Sequence, residues 1–363
     1  MVPLLLPVLV TLAALPGQAQ TPSKKELGHK ALQSVVDFLK SDDSEVRGLA
    51  VQVLGEAGNK AASGMLRKML QDRDKHVRIA AARALWQIGS PAGLKTLQDI
   101  IDDVPAQGPV AVTNTPLVEL KIISQNRIRE KAMETYAWMR GEKAADLLYK
   151  LKNDNYGTIR DAAGKELARL GHEDELAPFL EALSDPDEGI RYNAAGLFSS
   201  ICAKAAVGPL ARLASGGDSV RVRMAALDAL ACSPGKKDAA AELLKLTSDE
   251  NPTIRYKAVS ALGGIKEDKV LARLKEISSA DKDVRLRIAA QKALMGSGVP
   301  ADFSVAGDAL TAASPDIRLE ALEVAAAFPE DKSLPLLASA LDDPDTKVKL
   351  YAALYILRTA ERK

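Results

Sequence analysis

The 363-residue chain sets 49 Lys and Arg against 48 Asp and Glu, a net charge of +1, so it has no broad field to attract nucleic acid or an acidic membrane surface. Only 4% of its residues are aromatic while alanine is abundant, which argues against a sheet core of aromatic and β-branched strands and favours closely stacked helices. An all-α chain is the expectation.

Residues 2–15 form an uncharged, Leu-rich run that ends in Pro16 and Gly17, with small Ala19 next and charge returning at Lys24. The layout is that of a signal peptide cleaved after Ala19, although no Lys or Arg precedes the run. Its apolar stretch falls short of the ~20 residues a bilayer span needs. No cysteine follows that would accept a lipid anchor. The expected product is secreted or periplasmic, with no membrane span after cleavage, residues 20–30 as a linker and residues 31–363 as the folded part.

From there a basic residue recurs at Arg47, Arg78, Arg129, Arg160, Arg191, Arg223, Arg255, Arg287, Arg318 and Lys349, with alanine three residues after each. Eight of the ten have a helix-capping residue four positions earlier: Asp43, Asp74, Asp187, Ser219, Asn251, Asp283, Ser314 and Asp345. Gln125 and Tyr156 break that column. An aliphatic residue precedes every basic one, and large apolar residues commonly follow at seven and ten positions, so one face of a helix is buried. A second amphipathic segment lies upstream of each cap, as in Leu176–Leu183 and Leu334–Leu341. Each unit is therefore a helical hairpin, and about ten of them stack into an α-α superhelix.

The spacing fails once, between Arg78 and Arg129, where the gap is 51 residues rather than 31 or 32. The insertion, at about 103–123, holds three prolines and a β-prone Val/Thr content; its tail, Leu117–Ile123, could instead extend the next unit's first helix. Trp86 and Trp138 stand in the units on either side. Aromatic side chains are enriched at binding hot spots, so Trp86, Trp138, Val110, Val112 and Leu117 form a candidate partner patch, weighed against a local core in which the insertion covers the tryptophans. A second candidate is an apolar stripe one residue after the arginines, with Tyr192, Met224 and Tyr256, against packing with neighbouring side chains.

Cys202 and Cys232 fall near equivalent ends of consecutive helices. Stacked helices lie about 8–10 Å apart and a disulfide wants Cα atoms within about 7 Å, so two small buried apolar residues are the expectation over a bridge.

The repeated pattern Asp-Pro-Asp-x-x-Ile-Arg-x-x-Ala-x-x-x-Leu resembles the HEAT-repeat family, most closely the short HEAT-like repeats of the phycobilisome lyase type, from about Ala31 to the C-terminus. The resemblance implies an Asp–Arg ladder between adjacent turns: Asp43, Asp74, Asp187, Asp283 and Asp345 as acids with Arg47, Arg78, Arg191 and Arg287 among the bases. It also implies a concave side lined by the second helices. The Tyr156 step lacks its acid.

No catalytic, metal or cofactor constellation stands out. His29, His76 and His172 lie in different units without ligand spacing, and phosphate loops, nucleophile elbows and zinc patterns are absent from the sequence. The reading is a scaffold without enzymatic chemistry that binds another protein or peptide, not nucleic acid, on the concave face or at the insertion. The alternative, implied by the resemblance to lyases, is a subunit holding a tetrapyrrole or other apolar ligand in the concave groove.

Overall fold

A computed structural model describes residues 23–105, 116–300 and 302–361; the expected signal segment lies outside them. The described residues form ten helical hairpins. The first five are α1 (Lys24–Phe38) with α2 (Ser44–Ala57), α3 (Ser63–Met69) with α4 (Lys75–Gln87), α5 (Leu94–Ile101) with α6 (Pro116–Arg140), α7 (Ala145–Leu151) with α8 (Gly157–Leu170), and α9 (Glu173–Ala182) with α10 (Glu188–Ile201). The second five are α11 (Val207–Ser215) with α12 (Val220–Cys232), α13 (Ala240–Leu246) with α14 (Pro252–Ala261), α15 (Asp268–Ala280) with α16 (Val284–Gly296), α17 (Phe303–Leu310) with α18 (Pro315–Ala325), and α19 (Glu330–Ser339) with α20 (Thr346–Glu361). The segment expected as a linker is helical from Lys24, because Leu27, Ala31 and Val35 are buried along one side of α1.

The capping residues act as their type predicts. Asp43, Asp74 and Asp283 each accept a backbone N–H two residues on, at 2.7 to 2.9 Å, and Asp187 and Asp345 accept one three residues on at 3.0 Å. All ten repeat alanines are buried, which lets second helices approach one another closely. Gly55 on α2 tightens one contact further: a Cβ there would stand 2.6 Å from Ala84 Cα of α4.

The expected Asp–Arg ladder exists, but its acids are different residues. Asp43, Asp74, Asp187, Asp283 and Asp345 have their carboxylates turned onto their own helix starts. The arginines reach forward to the turn of the following hairpin instead: Arg47 to Asp72 at 2.8 Å, Arg129 to Asp154 at 2.6 Å, Arg191 through Nε to Asp218 at 3.0 Å, Arg223 to Asp249, and Arg318 to Asp343 at 2.8 Å. Asp72, Asp154, Asp249 and Asp343 also accept the N–H of the next helix cap. Meanwhile Arg47, Arg191 and Arg318 donate back to two carbonyls of their own inter-helix turn. One guanidinium thus ties two consecutive turns. The step at Tyr156 is intact, since Asp154 supplies the acid. At Arg78 the ladder is broken among the described residues: Asp103, in the corresponding place, binds Lys75, and Arg78 Nε is buried without a partner. Arg287 reaches only Asp308, at 3.5 Å.

The cysteines are bridged, contrary to the expectation from mean helix spacing. Cys202 caps α10 in the left-handed conformation, φ 53°, and bonds Cys232 at the end of α12 with the Cα atoms 5.4 Å apart. The two ends stand closer than the usual spacing of stacked helices, about 8–10 Å.

The stack closes on itself. Each second helix packs on the next from α2 to α20, and α20 then packs on both α1 and α2. Lys24 binds Glu330 at 2.7 Å, Lys30 reaches Asp342 at 3.2 Å, and Arg358 Nε donates to Glu56 O at 2.9 Å. One apolar core runs from the last hairpins across this seam into the first four, and a second fills the intervening arc. The second helices form the inner wall: Tyr256 on α14 donates to Glu320 on α18, past α16, a reach available only across a concave surface.

Candidate functional site

The insertion lies within the third hairpin, between α5 and α6, rather than between units. Its tail, Leu117–Ile123, extends that hairpin's second helix, not a first helix: α6 runs 25 residues, continuous through Gln125, where the other units begin a helix. The two residues that broke the cap column anchor the entry to this insertion. Gln125 Nε2 donates to Asp103 O at 2.8 Å, and Tyr156 Oη to Pro105 O at 3.1 Å. Residues 106–115, with Val110 and Val112 of the proposed patch, lie outside the described residues.

Beyond that anchor the start of α6 exposes apolar side chains. Leu117 is 76% exposed and Leu120 60%, and Val118 and Ile123 are also exposed. Leu117, Leu120 and Ile123 recur every three residues and so share one broad side of the helix. Val104, just after α5, is exposed as well.

The tryptophans do not join this surface as one patch. Trp86 is half-buried against the core. Trp138, 41% exposed, stands on the inner wall with Arg83 Cζ 4.3 Å from its ring centroid. The proposed stripe is likewise not an open groove. Tyr192 is exposed beneath Arg221, Met224 and Tyr256 are half-buried against the core, and Ile288, next in the series, is fully buried. Tyr256 spends its hydroxyl on Glu320 and lies under Arg285; burial and the Glu320 carboxylate push that phenol up to about 12.

Charges on the inner wall are mostly paired between neighbours. Lys165 binds Glu134 at 2.7 Å, Lys257 binds Asp228, and Lys292 binds Glu323 at 3.0 Å. An exception is a cavity of about 320 Å³ between α2, α4 and α6, lined by Gln52, His76, Ile79, Ala80, Arg83, Gln87, Lys131 and Thr135. No carboxylate lines it. Arg83 finds no acid among the described residues, and sequence reasoning missed it because one more arginine in a charge-balanced chain gives no signal. Among the described residues no group of three His, Cys, Asp or Glu is placed to hold a metal, and no helix is long and apolar enough to cross a membrane.

The model of HEAT repeats matches residues 32–108, 146–231 and 209–295, together more than half of the chain. The chain belongs to the HEAT-repeat family. Among solved structures it is similar to the complex of CpcE and CpcF of phycocyanin lyase from Nostoc sp. PCC7120, at 24% identity over 41% of this chain and 97% of that one, with a TM-score of 0.32. It is also similar to the karyopherin Kap121p, at 15% identity over 93% of this chain, with a TM-score of 0.37; the match spans 42% of the karyopherin's length. Kap121p bound to the extreme C-terminus of the protein phosphatase Cdc14p gives 0.36 at the same identity. No curated protein sequence matches the chain.

Proposed function

We propose that this HEAT-repeat protein is an exported, ring-shaped scaffold that binds another protein through the apolar side of the α6 extension and carries no chemistry of its own. The observation behind this reading is the exposure of Leu117, Leu120 and Ile123 on a helix prolonged beyond the repeat. Such a helical apolar side matches a groove or a second amphipathic helix on a partner. Export is supported by residues 1–19 and by the Cys202–Cys232 bridge, since structural disulfides persist in oxidising compartments.

Replacing Leu117, Leu120 and Ile123 together by Ser should leave the helical circular-dichroism signal unchanged and abolish capture of the partner that the wild-type protein retains from a periplasmic or secreted extract. Capture at wild-type level would overturn the assignment. N-terminal sequencing of the mature protein tests export; a retained Met1 contradicts it.

A further inference from the structure

We propose that the cavity between α2, α4 and α6 binds a small organic carboxylate with a flat apolar body. This site is on the inner wall and is independent of the partner surface on the α6 extension. Its charge is the first argument. Lys165 and Lys292 occupy the same repeat position as Arg83, five residues after their arginines, and each holds an acid of the adjacent helix. Arg83 has none among the described residues; it rests on Trp138. A guanidinium on an indole ring gains cation–π stabilisation while its N–H groups, with no acceptor among the described residues, remain available to a carboxylate fork.

The surrounding groups fit that ligand. His76 and Gln87 line the cavity with side chains that make no hydrogen bond among the described residues, and both can donate to an oxyanion. Lys131 adds positive charge; it is shared with Glu134 at 3.2 Å, but Glu134 also binds Lys165. Gln52 and Thr135 build the wall rather than contact an anion. The Gln52 amide donates to Glu56 and Tyr351, and the Thr135 hydroxyl to Lys131 O. Ile79 and Ala80 supply an apolar floor, and about 320 Å³ is at the small end of ligand cavities. A monocarboxylate with one ring matches both the volume and the division into a cationic rim and an apolar base.

Trp138 provides the readout. Titrating the full chain with sodium benzoate, at ionic strength held constant with sodium chloride, should change tryptophan emission saturably. Arg83→Gln should weaken that binding at least tenfold. Lys292→Gln, which removes an acid-paired cation elsewhere on the wall, should leave it within twofold. Calorimetry on the same three proteins checks the affinities without relying on fluorescence. The absence of saturable binding, or equal affinity in Arg83→Gln, would overturn the site. Inorganic phosphate binding as tightly as benzoate would overturn the carboxylate and its apolar body.

Discussion

The hydroxyl of Tyr156 donates to the backbone oxygen of Pro105 at 3.1 Å, across 51 residues of sequence. Tyr156 occupies a position where most units place a helix cap, and α8 begins there without a side-chain cap. The exchange is intelligible: the residue gives up capping its own helix and holds the entry of the insertion. Tyr156→Phe removes this bond alone and should cost about 1 kcal/mol. Amide exchange at residues 102–104 should quicken roughly fivefold by the same energy. Unaltered protection there would show the bond to be incidental.

The buried ladder pairs should dominate the mutational response. Asp154→Ala leaves the Arg129 guanidinium buried without its carboxylate and should destabilise by about 3–5 kcal/mol. Replacing the exposed pair of Lys95 and Asp99 on α5 should change stability by less than about 1 kcal/mol. Urea denaturation of both variants makes the comparison.

Acid should act through the same pairs. The hydrogen bond from Arg47 holds Asp72 below the usual carboxylate range. Burial alone would raise Asp154, Asp249 and Asp343, but their arginine and backbone donors outweigh it and bring them below that range too. A carboxylate depressed in the folded state stabilises above its unfolded value, near 3.9, and loses that contribution as pH falls through its folded value. The urea midpoint should hold between about pH 5 and 7 and drop below about pH 4, less steeply in Asp72→Asn.

Two glycines of one helix should respond with opposite sign. Gly48→Ala meets no atom within 4 Å and should stabilise by about 0.5–1 kcal/mol through helix propensity. Gly55→Ala places a Cβ 2.6 Å from Ala84 Cα and should cost about 1–3 kcal/mol or more by overpacking. Thermal denaturation of the two variants separates these terms.

The hairpins were legible because the aliphatic residue and the alanine recur in all ten units and a cap in eight of them, each set lying within one short stretch of a single helix start. The ladder acids were misplaced for a reason visible at Asp72 and Asp74: both are acidic, two residues apart, and only coordinates show that one caps while the other pairs. The bridge of Cys202 and Cys232 depends on the left-handed turn at Cys202, which is unusual outside glycine and has no marker in the sequence. The helical start of α6 was obscured by the prolines and valines just before it. Ring closure had no local signature at all, since it brings together residues more than 300 positions apart, such as Lys24 and Glu330. Where the period fails, Trp86 and Trp138 part, because one position of offset on a helix turns a side chain from the core to the inner wall.

Closure of the ring is tested most directly by joining its ends. A Cβ on Gly28 of α1 would lie 3.5 Å from Ala360 Cβ of α20, within the reach of a disulfide. The double variant Gly28→Cys, Ala360→Cys should oxidise spontaneously to a monomeric cross-linked species, identified by a peptide joining the two sites in mass spectrometry. Two free thiols at these positions in the folded protein, under oxidising conditions, would contradict the closed ring.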